Sequence, residues 1–162
     1  MKIKLTRQDY LEFNKFVFLK ERIYRSSKIA IFFIFIWIIL LNYKQPFDLT
    51  EIIIELICFT AIWGLMILLI YWFTFNKLKN MPDSDGEILG EKIYIISEEG
   101  LKQISVNSET FTKWIGFKFY AETDKYIFLF VDKIAAYIIP KRIFKDQNEL
   151  LEFTDIVKSK IK

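Results

Sequence analysis

Histidine is absent from all 162 residues, which removes the commonest general base, proton shuttle and transition-metal ligand together. The single cysteine, Cys58, permits no intrachain disulfide, and its place within an apolar run suits packing rather than nucleophilic or redox work. The five glycines, Gly64, Gly86, Gly90, Gly100 and Gly116, are scattered. They compose neither a phosphate-cradling loop nor a dinucleotide fingerprint, and no Gly-x-Ser-x-Gly elbow occurs. Carboxylates pair at Asp83 with Asp85 and at Glu98 with Glu99, but both pairs fall in polar turn segments without EF-hand spacing, where they serve as solvated charge. No catalytic, cofactor-binding or metal-binding residue is nominated, and a protein that is not an enzyme is expected.

What the chain does have is apolar length. Leu56 to Asn76 contains 21 residues without a charge, and at about 1.5 Å rise per residue it matches a hydrocarbon core of about 30 Å. Ile29 to Tyr43 is shorter, but Lys28 and Lys44 at its ends can bury their stems and lift their ammonium groups to the interfaces. The pattern predicts a transmembrane hairpin over residues 29–76, with spans at about 26–44 and 52–76. Lys15, Lys20, Arg22, Arg25 and Lys28 precede the first span, and Lys77 and Lys79 follow the second. The loop between them carries only Lys44, so both termini should be cytoplasmic in a multi-pass protein of the cell membrane. Asp48 and Glu51 have the spacing of a capped start for the second helix. Glu55 falls within its first turns; with no second ionisable residue deeper in either run to form a relay, it is expected to snorkel to the interface.

The formal charge of +3 is an N-terminal property, because residues 1–28 carry eight Lys or Arg against three acids whereas residues 77–162 hold 14 of each sign. A nucleic-acid partner is therefore not expected. Thr6 followed by Asp9 has the form of a helix N-cap, which predicts a helix from about residue 7. Residues 1–28 are expected to be one amphipathic, basic and aromatic helix, lying on lipid or packed on the C-terminal part through Tyr10, Phe13 and Phe16.

A polar, turn-rich linker covers residues 77–87, and over residues 88–162 the pattern becomes strand-like. Lys92 to Ser97, Leu101 to Val106, Thr110 to Ala121, Tyr126 to Val131 and Ile134 to Ile139 read as five strands of an antiparallel meander, the last closed by Pro140. Asp146 and Glu149 then cap a final helix whose stripe is Leu150, Phe153, Val157 and Ile161. The fold class expected is an α+β membrane protein: N-terminal helix, transmembrane hairpin, then an antiparallel sheet with a C-terminal helix in pleckstrin-homology-like outline.

The stretch YIFLFVDKIAAYIIPKRIF from Tyr126 to Phe144, Trp114 before it and the front segment LTRQDYLEFNKF resemble the YcxB-like family of bacterial membrane proteins. The resemblance implies two spans with a cytoplasmic pleckstrin-homology-like domain, and it carries no catalytic or cofactor residue onto this chain.

Lys141 and Arg142, adjacent cations at the exit of the last strand, are candidates for contact with lipid phosphate or an acidic partner, and Trp114 for a binding anchor. The competing role of Arg142 or Lys141 is an ion pair with an acid of the first helix such as Glu12, and that of Trp114 is core. The function expected is a membrane-anchored interaction or regulatory module in the lipid bilayer, with an unidentified protein partner. Self-protection against a membrane-active toxin or peptide is the alternative, followed by a membrane enzyme with an unfamiliar site. Ala61 and Gly64 leave close helix approach in a homo-oligomer open.

Overall fold

In the computed structural model, residues 1–42, 49–80 and 89–161 are described. Residues 43–48, where Lys44, Pro46 and the Asp48 cap were placed, and most of the 77–87 linker, including Asp83 and Asp85, lie outside them. The chain divides into two compact units, one formed by Met1–Val17 with Met81–Lys162 and the other by Phe18–Asn80.

The first unit is discontinuous because the chain starts with a strand. β1 (Lys2–Leu5) alternates Lys-Ile-Lys-Leu, burying Ile3 and Leu5, and pairs antiparallel with β2 (Gly90–Ile96) in the register Lys2 opposite Ile93 and Leu5 opposite Gly90. Residues 1–28 are thus not one helix. Four alternating residues give a weak strand signal, and the partner that stabilises them is remote in sequence. β3 (Gly100–Ile104) and β4 (Glu109–Lys113) complete a four-stranded sheet of order β1-β2-β3-β4. Gly100 is required where β3 meets β4, since a Cβ there would overlap the Thr112 carbonyl oxygen.

Thr110 to Ala121 is not a single strand either. The chain turns through a 3-10 segment at Trp114–Gly116, where the Trp114 amide donates to the Glu99 carbonyl at 3.1 Å, and resumes as β5 (Phe119–Glu122) in a second sheet. That sheet has the order β5-β6-β7, with β6 (Tyr126–Asp132) and β7 (Ala135–Pro140). Pro140, which has no amide to donate, ends β7 opposite Tyr126.

Tyr126 to Phe130 are all buried, so both faces of β6 are covered. α1 (Arg7–Val17) supplies one cover: the Phe13 ring lies 5.5 Å from that of Phe128 and 6.0 Å from that of Phe130, and Phe16 lies 5.2 Å from Phe128. The aromatic face of α1 therefore packs on the sheet. α4 (Gln147–Lys160) adds Phe153 and Val157 to the same core, followed by Ile161. Its cap is as the spacing predicts, with the Glu149 amide donating to Asp146 at 2.9 Å.

The second unit holds a π-helical turn at Phe18–Ile23, α2 (Tyr24–Asn42) and α3 (Leu49–Lys79). Ser26 and Ser27 both donate to the Ile23 carbonyl, at 3.0 and 2.8 Å, where the π-helical turn gives way to α2. Among the described residues one helix, Leu49–Lys79, is long and apolar enough to cross a membrane, with a mean hydropathy of 2.5 over its best window. Only 6% of that window is buried, whereas a soluble core helix of this composition would be mostly covered. Gly64 faces open space, since a Cβ there would meet nothing within 4 Å.

Candidate functional site

The first ionic centre is built from the start of α1. Thr6 caps the helix, its hydroxyl accepting from the Asp9 amide at 3.3 Å, and Asp9 answers by accepting from the Thr6 amide at 2.8 Å. Asp9 is 1% exposed, so its carboxylate needs further partners. Arg142, in the turn after β7, supplies a fork: Nη1 donates to Oδ1 and Nη2 to Oδ2, each at 2.6 Å. The Tyr126 hydroxyl of β6 donates to Oδ1 at 3.0 Å, and the Thr6 hydroxyl donates to Oδ2 at 2.9 Å.

Burial alone would push the Asp9 carboxyl up, but donation from Arg142, Thr6 and Tyr126 outweighs it and holds the group below the ordinary carboxylate range. Burial, with the hydrogen bond to Asp9, pushes the Tyr126 phenol up to about 12. Arg142 moves upward because Asp9 accepts from it. With both carboxylate oxygens occupied by donors, the cluster offers no open position to a substrate or metal. It fastens α1 to β6 and to the β7–α4 turn.

Lys141 and Arg142 are therefore engaged within the fold. The Lys141 ammonium meets Glu122 at 2.7 Å and Arg142 takes Asp9, not Glu12; Glu12 instead pairs with Lys15 at 2.8 Å. Trp114 is 6% exposed, and its indole donates to the Ser97 carbonyl at 3.0 Å. The three candidates are not brought together in one site. Asp9, a helix-capping acid, and Tyr126, a strand tyrosine, carry no sequence mark of a long-range pair.

An apolar strip of this unit meets solvent on the outer face of the first sheet. Ile95, Lys102 and Phe111 stand side by side across β2, β3 and β4, and Ile93 stands opposite Ile104 in the adjoining row. Ile93, Ile95 and Phe111 are each about two-fifths exposed or more, and nearby Ile115 is 93% exposed. Lys2 pairs with Glu91 at 2.7 Å beside the strip, while Lys102, which stands between Ile95 and Phe111, pairs with Glu109 at 2.6 Å.

In the helical unit the Glu55 side chain is half-buried, and its Oε2 is shielded and has no hydrogen-bond partner among the described residues. It lines a small hollow with Ile34 and Trp37 of α2 and with Leu56 and Phe59 of α3. No group of three metal-ligating side chains occurs among the described residues. A family model described as YcxB-like protein matches residues 96–157, the part that runs from the end of β2 through most of α4. No curated protein and no solved structure matched the chain.

Proposed function

We propose that this chain, a YcxB-like protein by similarity over residues 96–157, is a non-enzymatic membrane-anchored interaction or regulatory module with a cytoplasmic pleckstrin-homology-like domain. Antiparallel sheets of four and three strands followed by α4 support that outline. A two-span hairpin is supported by strand pairing across the helical insertion. β1 precedes the insertion, β2 follows it, and Leu5 stands opposite Gly90, which suits a chain that leaves and returns on one side of the bilayer. An even number of crossings satisfies this; one crossing does not. The basic residues Arg25, Lys28, Lys77 and Lys79 at the outer ends of the two helices favour the cytoplasm for that side.

The observation that carries the functional reading is the exposed strip Ile95, Phe111 and Ile115. Ile95 and Phe111 flank the aliphatic stem of Lys102 on one sheet face, with exposed Ile115 in the turn after β4, and exposed apolar side chains with charge among them suit a protein contact. We assign the partner contact to this strip in place of Lys141, Arg142 and Trp114, whose side chains are committed to the fold. Crosslinking in intact cells followed by affinity capture tests it: a variant with Ile95, Phe111 and Ile115 all changed to Ser should accumulate in the membrane as wild type does and lose its partner. A partner retained by that variant would reject the surface.

A further inference from the structure

We propose that the cleft between α2 and α3 is a binding site for a lipophilic organic cation, with Glu55 as its counter-charge. The proposal rests on the reading of the helical unit as membrane-embedded. The cleft encloses about 680 Å³, within the range that holds a drug-sized molecule. Its wall is aromatic and aliphatic: Phe33, Trp37 and Leu40 from α2 face Phe59, Trp63 and Met66 from α3. Trp37 and Phe59 also line the hollow that holds Glu55, so the same two rings border both the cleft and the carboxyl group.

An acid in this position is costly. Oε2 of Glu55 is buried without a hydrogen-bond partner among the described residues. A neutral acyl chain would fill the cleft and leave that oxygen as it is. A hydrated inorganic cation would need a cage of oxygen ligands that the apolar wall does not provide. A cation with bulky apolar substituents suits this arrangement: the wall takes the substituents, the rings of Trp37 and Phe59 attract the charge, and Glu55, in the adjoining hollow that those rings also border, balances it. Alkyl- or aryl-substituted ammonium and phosphonium ions are the chemical class.

Tetraphenylphosphonium is the probe, added to the full-length chain purified in phosphatidylcholine nanodiscs and followed by equilibrium dialysis. Saturable binding is expected, weakened about tenfold or more by Glu55→Gln and less by Trp63→Ala. Tetraphenylborate, of the same shape and opposite charge, should not compete. Unchanged affinity in Glu55→Gln, or competition by tetraphenylborate, would overturn the site. A measurement without any variant guards against a folding defect: tetraphenylphosphonium should protect Glu55 of the wild type from dicyclohexylcarbodiimide, and equal labelling with and without the probe would also overturn it. Alkaline carbonate extraction of cell membranes separates the two readings, because a chain that stays with the membrane yet ignores the probe loses only the site, whereas a chain that is extracted loses the anchor as well.

Discussion

A single carboxylate sets the pH response of the first unit. Asp9 is buried, held by Arg142, Thr6 and Tyr126, and carries a pKa below its ordinary value of 3.8. A carboxyl whose folded value is depressed contributes stability that is present above its unfolded value and lost as pH falls through the folded one. The Asp9→Asn variant should therefore melt below wild type at pH 7, with a destabilisation of about 2–4 kcal/mol for a broken, partly solvent-facing pair. That difference in melting temperature should shrink as the pH drops below about 4, where wild type loses the same interaction. A difference that stays constant down to pH 2 would mean that the charge of Asp9 is not what the fold uses. Glu55 illustrates the opposite situation at the same scale, an acid whose buried oxygen finds no partner among the described residues.

Among the elements, α1 and β1 change meaning most between sequence and structure. The alternation Lys2-Ile3-Lys4-Leu5 and the aromatic face Tyr10-Phe13-Phe16 belong to one assembly, β1 extending the first sheet and α1 covering the second. A basic, aromatic helix followed by a long apolar one suits a lipid surface equally well on composition alone. What decides is the apolar face of β6, where Phe128 and Phe130 need a cover that Phe13 and Phe16 provide. Phe13→Ala should cost about 3–5 kcal/mol, as for other buried phenylalanines. Hydrogen exchange in the detergent-solubilised protein would show it as lost protection in β6, and unchanged protection would place α1 elsewhere.

For the molecule as a whole, the pairing of β1 with β2 ties the two ends of the helical insertion to one sheet. Cysteine labelling in a Cys58→Ser background tests the proposed hairpin. Glu51→Cys, near the start of α3, should react with a membrane-impermeant maleimide in intact cells. Asn80→Cys, just after its end, should react only once the membrane is permeabilised. Labelling of Asn80→Cys in intact cells would reverse the orientation, and labelling of both positions there would remove the span.

Local regularities were legible in the residues because they depend on near neighbours. The Thr6 and Asp146 caps, the long apolar helix around Leu56 to Asn76 and the strand that Pro140 ends all follow from short windows. Features that join distant residues were not. The strand at residues 2–5 exists because β2 lies beside it, the segment from Thr110 to Ala121 breaks because Trp114 is held by Ser97 and Glu99, and Arg142 is consumed by an acid at position 9. The sequence by itself determined what each segment can form, since propensity and periodicity act over a few residues. Tertiary structure alone decided which buried charges find partners, because that depends on contacts no short window contains.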